Sequence, residues 1–249
     1  MKVLVACESS GTVREAFRKL GHDAWSCDLL PADDGSAYHM QMDALEAIVG
    51  LRLVADQSVE PLWSPFATVA IRRNGDNTDA YDYRSGEWDC YQTEDVTPLR
   101  WDLVIAHPPC THLASAGAKH FAAKRADGRQ QQGIDLFMGM VHACSAHANA
   151  WAVENPIGIM SRLYRKPDQI IQPYWFGDQA RKSTCLWLCN LPKLKPTNMV
   201  DQGEDHITKS GKKLPKWYNI PPSNPDRWKI RSKTFQGIAD AMAQQWGDF

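Results

Sequence analysis

With 249 residues, 43% of them hydrophobic and 23% charged, the chain has the length and balance of a globular protein with a full core, as one large domain or one domain with an appendage. A formal net charge of −1 excludes a global basic signature of nucleic-acid binding, and seven cysteines without a C-x-x-C pair argue against a zinc ribbon or a disulfide framework. No apolar run is long enough to span a bilayer, and Met1-Lys-Val-Leu-Val-Ala leads straight into a strand, so no signal peptide and a reducing cytoplasm are expected.

Residues 3–7 read as an apolar strand, Glu8-Ser-Ser-Gly11 as a small polar turn, and residues 13–20 as a helix with Val13, Ala16, Phe17 and Leu20 on one face. Gly21 stops that helix, and residues 22–28 return as a second strand ending in Asp28. Strand, small-residue turn, helix, strand and terminal acid make the opening unit of a nucleotide-type α/β fold. The G-x-G-x-x-G of a dinucleotide site is absent, but Ser9, Ser10 and Gly11 can let a cofactor approach the backbone, and Asp28 can accept hydrogen bonds from a ribose diol. Residues 29–41 read as a loop rich in Pro, Asp and Gly, after which Asp43 caps a helix.

The character changes over residues 58–98. Ala67-Thr-Val-Ala-Ile and Tyr81-Asp-Tyr are β-like, and Asn74-Gly75 and Ser85-Gly86 are turn signals, which predicts an inserted hairpin or small sheet on one edge of the main fold.

The densest chemistry follows. Leu103 to Ala106 form a short strand buried on both faces, because the run is apolar without alternation. Pro108 and Pro109 have no N–H to donate to a sheet ladder, so the strand ends there and Cys110 is held on a stiff loop. Residues 111–133, with Lys119, His120, Lys124, Arg125 and Arg129, read as a basic loop, either an active-site lid touching phosphates or a solvated loop. Residues 134–148 are helical, with Leu136, Phe137, Met140, Val141 and Cys144, and lead to a strand at 151–156 ending in Glu154-Asn-Pro156. Polar groups thus stand at four strand ends, after Cys7, at Asp28, at Cys110 and at Glu154. A parallel sheet wound by right-handed crossovers gathers such ends on one edge.

Residues 176–188 read as a basic polar lead into a strand or hairpin, and residues 191–226 are rich in Pro, Lys, Gly and Asn. There Lys209, Lys212, Lys213 and Lys216 lie beside Trp217 and Tyr218, a composition suited to nucleic-acid contact or to a flexible basic loop. From residue 160 to 235 about 15 Lys and Arg face about 6 Asp and Glu, so an acidic body carries one basic segment. The terminal residues 234–246 form an amphipathic helix with Ile238, Met242 and Trp246 on one stripe.

This order of motifs resembles the DNA cytosine-5 methyltransferases, and more closely their short, often phage-encoded, cytosine-methylase-like branch. The resemblance rests on Pro108-Pro-Cys110 and Glu154-Asn-Pro156, in order and on strand ends, and covers most of the chain outside the insertion and the basic segment. It implies a Rossmann-like S-adenosylmethionine-dependent methyltransferase fold. Residues 1–190 would be the catalytic domain, 191–231 a short basic target-recognition segment, and 232–249 a helix packing back on the catalytic domain. It implies S-adenosyl-L-methionine or a modified analogue as cofactor, held by Ala6, Cys7, Glu8, Ser9, Ser10, Gly11, Asp28, Leu29, Asp43, His107 and Pro108. Cys110 would add to C6 of a flipped cytosine in DNA, Glu154 would assist at N3, and Arg181 would support them. Pro109, Thr111, Asn155, Pro156, Gln179, Lys182 and Ser183 would line the substrate site.

The chemistry explains the residue types. C5 of cytosine is a poor nucleophile, and thiolate addition to C6 makes it enamine-like, while a carboxyl relieves the charge that develops on the ring. No membrane and no protein partner are implied, the chain being a monomer or weak dimer in a bacterial or phage-infected cytoplasm, and no metal is expected although His107, Cys110 and His112 have ligand-like spacing. The sequence departs from the family at the glycine-poor first loop, at Thr111 where glutamine is usual, and at Ser183 where a second arginine is usual. Two alternatives stand beside this expectation. One is an amino-methyltransferase acting on cytosine N4 or adenine N6, against which Cys110 counts because an aromatic is needed after the prolines. The other is a degenerate homologue that only binds DNA.

Overall fold

The computed structural model describes residues 1–49 and 100–248 apart from 209, 210, 212, 219, 220, 222, 225 and 226; between 50 and 99 it describes only the backbone of five strands. Strands and helices in chain order are β1 (Lys2–Ala6), α1 (Thr12–Lys19), β2 (Asp23–Asp28), β3 (His39–Gln41), α2 (Ala44–Val49), β4 (Leu51–Leu53), β5 (Val69–Asn74), β6 (Asn77–Asp82), β7 (Glu87–Gln92), β8 (Val96–Pro98) and β9 (Trp101–Ala106). Then follow α3 (Phe121–Ala126), α4 (Arg129–His147), β10 (Ala148–Pro156), α5 (Met160–Leu163), β11 (Gln169–Ile171), β12 (Thr184–Cys189), β13 (Asp205–Ile207), β14 (Lys213–Pro215), α6 (Arg227–Ser232) and α7 (Gln236–Trp246).

Seven strands make one sheet in the order β11-β12-β10-β9-β1-β2-β3. The pairs β2–β3, β1–β2, β1–β9 and β9–β10 are parallel, while β12 runs antiparallel to both β10 and β11. Side chains alternate across the strands, so each strand feeds two cores. Leu4, Ala6, Val104 and Val153 face the helices α2 and α4 with Ile48, Phe137, Met140 and Cys144. Val3, Val5, Leu103 and Ile105 face α1 and α7 with Val13, Phe17, Ile238, Met242 and Trp246. Apolar residues at both parities are why the β9 run shows no alternation in sequence: it is buried on both sides. The result is an α/β fold with a mostly parallel, Rossmann-like sheet covered on both faces.

The sheet order reverses direction at β1, whose neighbours are β2 and β9. In such sheets the crevice lies outside the carboxyl ends of the strands at that point. The ends there are Ala6-Cys7-Glu8 and Ala106-His107-Pro108, flanked by Asp28 on β2 and Glu154 on β10.

Several expectations change in detail. Leu20 falls at the C-cap of α1 and is 51% exposed rather than on its buried face. Residues 111–133 are not irregular: a 3-10 turn (Ser115–His120), α3 and the first turn of α4 occupy them. Ala114, Ala116, Ala118, Ala122, Ala123 and Ala126 give the stretch high helix propensity, which its charges obscure in a periodicity reading. The insertion is β-rich, as expected, but begins earlier. β4 pairs antiparallel with β8 ahead of a three-stranded meander, β5-β6-β7. The expected turn at Asn74 lies between β5 and β6, whereas Gly75, Ser85 and Gly86 lie outside the described residues. In the basic segment β13 and β14 form a short hairpin, followed by a 3-10 turn (Lys216–Tyr218) and α6. Among the described residues no helix is long and apolar enough to cross a membrane.

Candidate active site

The loop after β1 is built around a carboxylate. Glu8, 5% exposed, accepts the Val13 N–H at Oε1 (2.7 Å) and the Arg14 N–H at Oε2 (3.2 Å), and the Ser10 hydroxyl also reaches Oε1 (3.3 Å). It therefore fills the N-terminus of α1, where a dinucleotide fold would hold pyrophosphate. Glu8 was expected to touch a cofactor; its side chain is instead consumed in capping the helix. Cys7 has φ 59, and Gly11 has φ 67, a left-handed conformation that favours glycine. A Cβ at Gly11 would stand 2.3 Å from Arg14 Nη2, so the turn has room for glycine only.

Arg14 is the unforeseen member of this region. It is fully buried, donates to Ser26 Oγ (2.8 Å), and pairs with Asp34 and Glu15. Ser26 Oγ continues to His39 Nδ1 (2.9 Å), whose Nε2 lies 2.9 Å from the Leu30 carbonyl oxygen. This network fixes the 29–38 loop against β2. Sequence gives little signal for it, because an arginine in a surface-type helix normally reads as solvated.

The remaining expected cofactor residues lie along the same edge. Ala6 is buried and its carbonyl accepts the His107 N–H (2.9 Å). Ser9 accepts the Asp33 N–H through its carbonyl (2.9 Å), which folds the 29–38 loop over the turn. Asp28 Oδ1 accepts the Leu30 N–H (3.0 Å), and Leu29 is 70% exposed beside it. Asp43 Oδ1 caps α2 through Leu45 N–H (2.8 Å), as the sequence predicts. Burial pushes the Cys7 thiol up to about 12, and the nearby charges of Asp28 and Asp43 add to that. These two carboxylates and Cys7 are thus close, although they come from three strand ends.

At the other side of the crevice, β9 and β10 deliver the thiol and the second carboxylate. Val153 pairs with Ala106, so Glu154 and His107 are level at adjacent strand ends. His107 Nδ1 lies 3.2 Å from Glu154 Oε2, with the two side chains 11% and 14% exposed. His107, expected at the cofactor, therefore belongs with Glu154. Burial is the largest influence on Glu154 and pushes its carboxyl up. The His107 hydrogen bond and the charges of Lys182 and His107 together outweigh burial and hold the carboxyl below the ordinary carboxylate range. Burial pushes the Cys110 thiol up, the Glu154 charge pushes it further, and Lys182 and Lys124 pull in the opposite direction.

Several contacts hold the Cys110 loop. Asn155, 2% exposed, donates from Nδ2 to the Pro108 carbonyl (2.7 Å), so its side chain is a strut rather than a substrate contact. Gly158 lies against Leu113, whose carbonyl oxygen would be 2.3 Å from a Cβ there, and Ile159 N–H donates to that same oxygen (3.0 Å). Pro108 is buried, whereas Pro109 and Thr111 are exposed and Cys110 is half-buried. The Thr111 carbonyl accepts from Lys124 Nζ.

Arg181 and Lys182, adjacent in sequence, take different partners. Arg181 pairs with Asp205 on β13, Gln179 is exposed, and the Ser183 hydroxyl accepts from Gln172 Nε2 (2.7 Å). Lys182 takes the central place: its charge acts on both Cys110 and Glu154, and its Nζ reaches the carbonyls of Ser232 (3.5 Å) and Lys233 (3.4 Å) at the end of α6. Pro156 pairs with Thr184 across β10 and β12. Lys229 of α6 pairs with Asp33 (2.6 Å), so the basic segment also meets the loop after β2. Its aromatics pack internally: Trp217 meets Tyr218 and Phe235 edge-on, and Arg231 stacks 3.7 Å from the Tyr218 ring centre.

Beside the Cys110 loop, a cleft of about 480 Å³ opens between α3, the start of α4 and α5. Arg125 and Arg162 line it above Ile134, Ile159 and Leu163, and neither guanidinium has an ion pair among the described residues. Among the described residues no three His, Cys, Asp or Glu side chains converge to hold a metal ion. Comparison with known protein families and with curated proteins finds no match for the chain.

Proposed function

We propose that the protein transfers a methyl or related alkyl group from S-adenosylmethionine or a close analogue to C5 of cytosine in DNA. The observation that carries this reading is the placement of Cys110 and Glu154 just past the last pair of two adjacent parallel strands, whose ends the Asn155 Nδ2–Pro108 carbonyl hydrogen bond (2.7 Å) ties together. A nucleophile for C6 and a carboxyl for N3 must reach one ring together, and neighbouring strand ends bring both.

The crevice also suits the cofactor. With Glu8 seated on the α1 N-terminus and Asp28 and Asp43 nearby, a phosphate is repelled there and a cationic sulfonium is favoured. Asp28 would take the ribose hydroxyls, Leu29 would cover the adenine, and the backbone of Cys7, Ser9, Ser10 and Gly11 would border the amino-acid end. S-adenosylmethionine bound there supplies an activated alkyl carbon.

The chain's own groups do the rest. Lys182 favours the Cys110 thiolate, which adds to C6, and the Glu154 carboxyl meets N3 as charge develops on the ring. Asn155 holds the two strand ends in register. Arg125 and Arg162 supply phosphate contacts beside the extruded base, whose removal from the stack costs a few kcal/mol.

Nucleoside mass spectrometry after incubation with duplex DNA and S-adenosylmethionine tests the reading. 5-Methyldeoxycytidine is expected from wild type and none from Cys110→Ser. An N4- or N6-methyl product replaces the reading with amino-methyl transfer. Binding of DNA with no measurable binding of S-adenosylmethionine replaces it with a non-catalytic homologue.

A further inference from the structure

We propose that His107 holds the proton which Glu154 passes to the target ring, so that the two side chains act as one acid. The inference rests on the cytosine reading above and adds a residue and a proton path to it.

The geometry is specific. His107 is fixed by its N–H on the Ala6 carbonyl (2.9 Å), at the seam between β1 and β9. Its Nδ1 lies 3.2 Å from Glu154 Oε2. The far atoms of the same pair, His107 Nε2 and Glu154 Oε1, are both buried, and neither has a hydrogen-bond partner among the described residues. Buried polar atoms are nearly always satisfied, so two orphans on one pair mark a place that a polar ligand edge completes. A cytosine edge provides one, with an exocyclic amine that donates to a carboxylate oxygen and a ring nitrogen that takes a proton.

The charges around the pair set where its proton rests. The Lys182 charge acts on Glu154 and Cys110, and the Lys124 charge acts on Cys110. With Lys182 and His107 beside it, Glu154 is an ionised acceptor before substrate arrives. An ionised carboxylate has no proton for N3, and Nδ1 of His107, 3.2 Å away, is the atom placed to supply one. As Sγ of Cys110 bonds to C6, the C5=C6 π pair becomes the C4=C5 bond and the C4=N3 π pair moves onto N3. His107 enters this step as the imidazolium: its Nδ1–H breaks, the proton passes to Glu154 and on to N3, and the imidazole is left neutral. Reversal of the addition returns the proton along the same path.

The test uses the full chain and cofactor-free release of tritium from DNA carrying 5-tritiated deoxycytidine, which reads addition at C6 together with proton exchange at C5, without alkyl transfer. Asparagine can still donate a hydrogen bond to Glu154 but cannot relay a proton. His107→Asn is therefore expected to fold and still bind DNA, release tritium about 100-fold more slowly, and lose the wild-type pH dependence of release. Release at the wild-type rate and pH profile overturns the proposal. Wild type that releases no tritium and forms no methylated base overturns the cytosine reading instead. Nitrogen-15 spectra of the histidines decide the proton path independently of activity: His107 protonated at Nδ1 in wild type and released from that state in Glu154→Ala is expected, and an unprotonated Nδ1 in wild type overturns it.

Discussion

Asn155 Nδ2 and the Pro108 carbonyl, 2.7 Å apart, tie the end of β10 to the end of β9 two residues beyond the last ladder pair. Pro109 follows with no N–H to offer, so this side chain replaces the missing ladder and sets the distance between the thiol loop and Glu154. Asn155→Ala leaves a buried carbonyl unpaired and should lower stability by about 1–3 kcal/mol in a urea titration. Activity should fall further than stability explains, because the positioned pair is lost; equal binding and unchanged turnover would show that the latch does not position the thiol.

The reactivity of Cys110 follows from its two charged neighbours. Glu154 opposes thiolate formation and Lys182 favours it, with burial the largest influence and opposing it. Alkylation by iodoacetamide at pH 7.5, followed by peptide mass spectrometry, should speed up between about twofold and tenfold in Glu154→Gln and slow by a similar factor in Lys182→Met. Equal rates in all three proteins would mean that neither group acts on the thiol.

The fold was legible where physical signals are local. Pro108, Pro109 and the apolar run before them define the end of β9, and alternating parity on β1 and β9 follows from strands buried on both faces. Cys110 and Glu154 were legible as a pair only through the rule that parallel strand ends share an edge. Long-range polar pairing was not. Nothing in the spacing of Arg14, Ser26, Asp34 and His39 announces a buried network, and Arg181 and Lys182 are adjacent cations whose roles are separated by Asp205. Aromatics beside lysines suggested stacking on bases, yet Trp217 and Tyr218 pack on Phe235 and Arg231, because an indole buries area wherever a neighbour offers it.

The cleft beside the Cys110 loop makes a salt prediction. Arg125 and Arg162 stand on its lining without ion pairs among the described residues, and each is assigned a backbone phosphate. Arg125→Ala and Arg162→Ala should each reduce the slope of log K against log salt for DNA binding by about 1, uniformly across sequences. The double variant should lose about 2. Unchanged slopes, measured by fluorescence anisotropy over a salt series, would remove the cleft from the DNA surface.

Acid stability reports on Glu154 directly. Its carboxyl is held below the ordinary value of 4.5 in the folded protein, through His107 and Lys182 against the opposing effect of burial. A carboxyl with a depressed folded value releases its proton more readily folded than unfolded. Its contribution is therefore complete above the unfolded value and is lost as pH falls through the folded one. Glutamine at this position has no proton to take up. The stability difference between wild type and Glu154→Gln, measured by urea titration, should thus be constant at neutral pH and shift steadily against wild type as pH falls through and below the ordinary carboxylate range. Parallel curves over that range would mean that Glu154 is not held ionised by its neighbours, and the charge state assigned to the His107 pair would fall with it.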